Sequence, residues 1–322
     1  MSPKFSVIIP VYNGADFIAR TLRSVLAQEY PAHEIIVVDD GSTDRTPEIL
    51  RQFEGKIRLK RVENGGVATA RNHGMAMATG DYFAFLDSDD VLFKNHLKRQ
   101  AEAIQKYPEV GFLCCNYAVR YPHHRNRMTK QYSILRFPEQ LNFDAPLKKE
   151  PFGLLFREHF VGTASAGIVK REVAEKAGPF DPRFRSTQDY EYWLRCAVHT
   201  NFILTSDVLF YKKNHPANIS TNFLRTQSFH KEALEKNFSL QRDYIQAHGL
   251  RDVCLQALSE IHFVVGNLQF EAGQYGKAFK LYWDGLKTRI TPRNLGFFLW
   301  TCLKKTARLL TFGLLSRKNL HK

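Results

Sequence analysis

Asp81-Tyr82-Phe83-Ala84-Phe85-Leu86-Asp87-Ser88-Asp89-Asp90 is the stretch whose reading decides the fold. Five apolar or aromatic residues run directly into a segment holding three carboxylates. Tyr82 to Leu86 has the length and aromatic content of a buried strand, and a strand buried on both faces belongs to a parallel sheet covered by helices. Its carboxyl end delivers Asp87 and Asp89 to the edge at which open α/β sheets bind ligands. Residues i and i+2 of extended chain point the same way, so the two carboxylates suit one hard cation, magnesium or manganese. The competing reading is a polar turn, with Asp90 capping a helix that starts near Asn95.

Upstream, the same pattern recurs. Phe5 to Val11 reads as a strand ending in a turn at Tyr12-Asn13-Gly14. Ile18, Leu22, Val25 and Leu26 then fall on one helical face that runs to about Gln28. Glu34 to Asp40 is a second buried strand ending in two aspartates, and Gly41-Ser42-Thr43-Asp44 turns it into a helix. Lys56 to Val62 reads as a third strand, and Gly65-Gly66 opens a helix from Val67 to Ala78 that carries Arg71 and Asn72. Strand and helix alternating in this rhythm predict a doubly wound sheet, and strands that end in carboxylates predict a shared crevice.

VIIPVYN, EIIVVDDGSTD and GGVATARNHGMAMATGDYFAFLDSDD, in this order and at these spacings, resemble the nucleotide-sugar-binding half of a family 2 glycosyltransferase with the GT-A fold. The resemblance is close over about the first 110 residues. A second block, from Gly162-Thr163-Ala164-Ser165-Ala166 to Gln188-Asp189-Tyr190-Glu191-Tyr192-Trp193, is similar to the acceptor half. The fold class implied is α/β, a GT-A doubly wound mixed sheet followed by a helical C-terminal region. We place the catalytic domain at 1–222 and the helical region at 223–322.

The resemblance implies roles for particular residues. Pro10, Tyr12 and Asn13 form the floor under the nucleobase. Asp40, together with Asp39, accepts a hydrogen bond from the base, which favours uracil or thymine because a carboxylate only accepts. Asp87 and Ser88 face the nucleotide sugar, with Asp87 sharing the metal that Asp89 binds directly. Arg71 clamps the diphosphate. Asp189 is the base that takes the acceptor hydroxyl's proton in an inverting displacement. In the family that position usually follows a glutamate, whereas here it follows Gln188, which puts any role for a second carboxylate in doubt. Trp193, one helical turn on, forms an apolar wall on the acceptor side, and Glu191 faces solvent. His215 sits where similar proteins place a histidine that completes the metal shell.

The activity implied is transfer of a sugar from a UDP- or dTDP-sugar, with Mn2+ or Mg2+, to a glycan or lipid-linked acceptor of the cell envelope. The alternative is a nucleotide-sugar-binding scaffold without catalysis. A nucleotidyltransferase would want a Gly-rich basic loop at the first strand end, and Val11-Tyr12-Asn13-Gly14-Ala15-Asp16 is not one.

Charge and composition bound the setting. The net charge is +14, and from Arg293 to Lys322 there are seven lysines and arginines and no acid, interleaved with Phe297, Phe298, Trp300 and several leucines. That pattern suits a helix on an anionic membrane surface, and equally one packed on its own domain with a basic outer face. No nucleic-acid motif accompanies it. No apolar run is long enough to span a bilayer, and the N-terminus does not read as a signal peptide. Five scattered cysteines without metal-ligand spacing fit a reducing cytoplasm, with the protein cytoplasmic or peripheral on the inner membrane face. The Asn218 and Asn237 sequons read as chance. Arg120 to Pro151 reads as an insertion near the acceptor side, and Gly266 to Pro292 as a tetratricopeptide-like helical pair.

Overall fold

The computed structural model describes residues 2–120, 128–130, 143–213, 222–292 and 294–301. The chain forms two compact units, residues 1–244 and 245–322.

The first unit is built on one nine-stranded mixed sheet. Strand β1 (Phe5–Val11) is buried along its whole length. It pairs in parallel with β2 (Glu34–Asp39) on one side and β4 (Tyr82–Phe85) on the other. Ile8 lies opposite both Ile36 and Phe85, so all three strands finish at the same edge. The short β3 (Arg58–Arg61) adds to β2. Beyond β4 the direction changes: β8 (Gly167–Lys170) runs antiparallel to it and to β6 (Phe112–Arg120). Next come β9 (Phe202–Lys213), parallel to β6, and the two-residue β5 (Val91–Leu92); β7 (Met128–Lys130) pairs on β6. The sheet is thus doubly wound in its first half and mixed overall.

Helices α1 (Ile18–Leu26), α2 (Thr46–Arg51), α3 (Val67–Met77) and α4 (His96–Lys106) belong to the first half. Helix α3 approaches β1 closely because Gly74 has no side chain, and an added Cβ would strike Ile8. Its start needs Gly66, whose φ of +88° lies in the region that disfavours side chains. The second half adds α5 (Pro151–Arg157), α6 (Arg171–Ala177) and α7 (Gln188–Ala197), with a 3-10 turn at Ala164–Ala166 before β8.

Helix α8 (Phe223–Leu240) belongs to this unit, so the unit extends past residue 222 to Tyr244. The reason is ionic. Lys236 of α8 reaches Asp181 at 2.8 Å and Glu191 at 2.7 Å, and Glu191 also holds Arg195. Glu191 is therefore fully buried rather than solvent-facing as the sequence suggested.

In the second unit, α9 (Arg242–Ala247) leads in, and α10 (Arg251–Glu271) and α11 (Tyr275–Thr288) form a helical hairpin. Phe263, Ala278, Tyr282 and Leu286 make its core, with Phe270, Phe279, Phe297 and Phe298 packed on it. Trp283, Ile290, Leu299 and Trp300 are exposed. Among the described residues no helix is long and apolar enough to cross a membrane. Cys114, Cys115, Cys196 and Cys254 are buried thiols, and Asn237 is buried within its sequon. Cys302, Asn218, the segment Tyr121–Arg127 and most of the basic C-terminal stretch lie outside the described residues.

Candidate active site

At the end of β1, Pro10 is buried in the strand and Tyr12 is 51% exposed, its ring available at the sheet edge. Asn13 adopts a positive φ of 49°, which asparagine tolerates better than most residues. Its side-chain oxygen accepts from the backbone N–H of Thr43 at 2.8 Å, and its own N–H donates to Ser42 Oγ at 2.9 Å. Asn13 thereby ties the β1 turn to the turn after β2.

Asp39 and Asp40 are both buried. Asp39 accepts from Ser42 N–H at 2.9 Å and faces Arg61 at 3.6 Å. Asp40 accepts from Gly65 N–H and Gly66 N–H, one bond to each oxygen, both 2.9 Å. These carboxylates hold the loops around the crevice together. Each carboxylate oxygen keeps a second lone pair beyond these bonds.

Arg71 comes up from α3 and is only 2% exposed. Its Nη2 donates to Asp87 Oδ1 at 2.6 Å, and Nε and Nη1 have no partner among the described residues. The guanidinium lies over the Phe180 ring, 5.5 Å from its centre. In this arrangement Arg71 holds a carboxylate from below instead of presenting an open fork.

Asp87 is a junction. Besides Arg71, it accepts from Thr163 Oγ1 at 3.3 Å, and its backbone N–H donates to Ser165 Oγ at 2.9 Å. Burial pushes its carboxyl up, but the charges of Arg71 and Lys212 outweigh that and hold it below the usual range. Asp90 is different: it is fully buried and accepts from Ser165 Oγ at 2.6 Å, with Oδ1 unpartnered. Burial, reinforced by Asp89 and Asp87, raises Asp90 well above the ordinary carboxylate range. The capping role considered for it is excluded, because α4 begins at His96 behind Asn95 and Asp90 points into the interior. Ser88 and Asp89 are partly exposed between these two, and Ser88's carbonyl accepts from Thr21 Oγ1 at 2.8 Å.

The second half supplies Asp189 in the first turn of α7, just after Thr187, which takes a left-handed φ of 57°. Burial raises Asp189, Arg71 pulls it back and Asp87 pushes it up again; the net direction is upward. Arg71 therefore acts on both carboxylates at once. Gln188 is 7% exposed with its Oε1 unpartnered. Trp193 does not line an acceptor cleft. It is fully buried, edge-on to Phe112 at 4.9 Å and beside Phe85 and Phe180, because helix α7 lays that face on the sheet. Gly167 makes room for it.

Thr163, Ser165 and Lys212 were not singled out from the sequence as site residues. The first two lie in the Gly162–Ala166 block already noted, where two hydroxyls in a short buried run were the available signal. Lys212 stands three residues before His215, in the stretch that carries that histidine, and its proximity was the available signal. His215 lies outside the described residues, and among the described residues no three acidic, cysteine or histidine side chains converge as metal ligands.

The fold is of the GT-A type. Superposition on solved structures gives a TM-score of 0.64 with Staphylococcus aureus TarS 1-349 in complex with UDP-GlcNAc, at 21% identity, covering 90% of this chain and 82% of that one. A mannosyltransferase from Pyrobaculum calidifontis in complex with GDP-Man and Mn2+ matches with a TM-score of 0.57 and 20% identity, over 96% of this chain and 81% of the other. At these identities the likeness speaks to the fold alone. The family model for glycosyl transferase family 2 matches residues 6–178, and the chain belongs to that family. Curated relatives include an uncharacterized glycosyltransferase of Rickettsia typhi, 31% identical over 240 residues (74% of this chain, 72% of the relative). A putative teichuronic acid biosynthesis glycosyltransferase, TuaG of Bacillus subtilis, is 37% identical over 197 residues (60% of this chain, 71% of the relative).

Proposed function

We propose that this glycosyltransferase is inverting and metal-dependent, and moves a sugar from a UDP- or dTDP-sugar to a glycan or lipid-linked acceptor of the cell envelope. The observation that carries the reading is the pair Asp87 and Asp189, from opposite halves of the fold, with buried Arg71 bonded to Asp87 and its charge acting on Asp189. Asp189, with its carboxyl raised by burial, is a stronger base than an ordinary aspartate and is the group to accept the acceptor hydroxyl's proton. Asp87 holds the donor side in register through Arg71, Thr163 and Ser165. Tyr12 supports the base, and Asn13, Asp39 and Asp40 fix the loops around it.

Asp87 and Asp89 are hard oxygen donors of the kind a divalent ion takes, and among the described residues no third ligand converges with them. Of the four carboxyl groups around Lys212, Asp90 keeps its proton, which leaves Asp87, Asp89 and Asp189 against Lys212 and Arg71 and so an excess of negative charge. Asp89 and Asp87 would hold Mn2+ or Mg2+, which supplies charge to the departing nucleoside diphosphate. His215 would join them. The cell-envelope setting is supported by the name of the TuaG relative. Attachment to the inner membrane face is supported by the exposed Trp283, Leu299 and Trp300 beside the basic C-terminal sequence.

The test is nucleoside diphosphate release from a panel of UDP- and dTDP-sugars with manganese or magnesium, comparing wild type with Asp89→Ala and Asp189→Ala. Metal-dependent turnover of one donor, lost in either variant, is the expected result. If no donor turns over, even with cell-envelope lipid extract present, the proposal fails.

A further inference from the structure

Lys212 lies near the end of β9, opposite Val119 of β6, while its neighbour Tyr211 pairs with both Ala118 of β6 and Val91 of β5. This register brings its side chain into the cluster from the half of the sheet opposite to Arg71. An ammonium group has three hydrogens to donate. Among the described residues its hydrogen bond is a single long one, 3.4 Å to Thr163 Oγ1, and no carboxylate closes an ion pair with it. Yet Asp87, Asp89 and Asp189 act on it, as Asp90 does when ionised, and they keep it charged against the pull of burial. The two cations of the site thus differ. Arg71 is closed onto Asp87 at 2.6 Å, with Nε and Nη1 left without partners among the described residues, whereas Lys212 makes there only the long bond to Thr163.

We propose that Lys212 is a built-in cation of the donor site: it receives the donor's diphosphate beside the divalent ion, and its charge sets how tightly the carboxylates hold that ion. The inference rests on the proposed function, since it presumes a diphosphate donor. Its physical content is a pair of opposed effects. A fixed positive charge among carboxylates repels a metal ion arriving there, and the same charge attracts an anionic diphosphate. Replacing it by a neutral side chain of similar length moves the two affinities in opposite directions, which general damage to the site does not do.

The test uses the full chain in wild-type, Lys212→Met and Lys212→Arg forms. Manganese binding to the donor-free protein is read by electron paramagnetic resonance of free manganese, and UDP and dTDP binding without metal by calorimetry. Lys212→Met is expected to tighten manganese about tenfold and to weaken the nucleotide about tenfold, with Lys212→Arg close to wild type in both. The proposal is overturned if Lys212→Met leaves nucleotide affinity within about twofold, or weakens both ligands together. Should Lys212→Met not fold, Lys212→Gln is put through the same comparison with the same criteria. If the wild type binds neither nucleotide, the donor class is what has failed. The manganese arm then decides on Lys212: tightening in the neutral variant supports its role, and no change overturns it.

Discussion

Arg71 Nη2 and Asp87 Oδ1 stand 2.6 Å apart, with the arginine 2% exposed and the aspartate 26% exposed, so the cation is buried beneath the anion it supports. Removing the arginine leaves Asp87 and Asp189 with the charge of Lys212 alone to offset their repulsion. Arg71→Met is expected to lose about 3–5 kcal/mol of stability. The double variant Arg71→Met/Asp87→Asn should lose clearly less than the two single losses added together. Urea unfolding of the four proteins measures this, and additive losses would mean that the pair is not coupled.

The acid limb of the pH–rate profile reports on Asp189 if that residue is the base. Burial raises its carboxyl, so kcat/KM falls as pH drops through a value above the ordinary aspartate range. Gln188→Glu places a second carboxylate beside it, and a like charge disfavours ionisation, so the limb should move to higher pH. A limb that stays in place in this variant, with turnover retained, takes the base role away from Asp189.

Asp90 makes a prediction about stability with the opposite slope from ion-paired aspartates such as Asp87 and Asp181. Its folded-state carboxyl is raised well above its unfolded one, so the folded chain keeps a proton that the unfolded chain has released. Stability from this group therefore declines as pH rises from about 4 through the folded value. Asp90→Asn removes the effect while keeping an acceptor for Ser165 Oγ. Its stability relative to wild type should be more favourable at about pH 8 than at about pH 5. A difference independent of pH would show that Asp90 is ionised in the folded protein.

Trp193 separates packing from substrate contact. It is fully buried, so Trp193→Ala is expected to cost about 3–5 kcal/mol in unfolding experiments. Trp193→Phe keeps a ring against Phe112 and should retain most donor turnover. Loss of turnover in Trp193→Phe with unfolding unchanged would return the residue to the acceptor site.

The donor half was legible in the sequence because its signals are local. Strands β1, β2 and β4 are continuous apolar runs, and each hands over to polar or acidic residues within one or two positions. The acceptor half resisted for the opposite reason. Glu191 and Trp193 carry no local sign that Lys236 and Phe112, 45 residues later and 81 earlier, will cover them. Asp90 was misread because its burial depends on Ser165, 75 residues away. Lys212 joins the cluster only through the pairing of β9 with β6 and β5, a register no short window contains.

The ion-pair bridge through Lys236 has a practical consequence for dissecting this protein. Helix α7, which presents Asp189, is braced from outside by α8 through Glu191, while Asp181 fixes the same lysine to the loop after α6. A truncation at residue 222 would strip a buried glutamate of one of its two cations and uncover the back of the helix that carries the proposed base. The minimal piece in which catalysis can be studied by itself therefore ends after α8, near Tyr244, and the brace travels with the reaction centre.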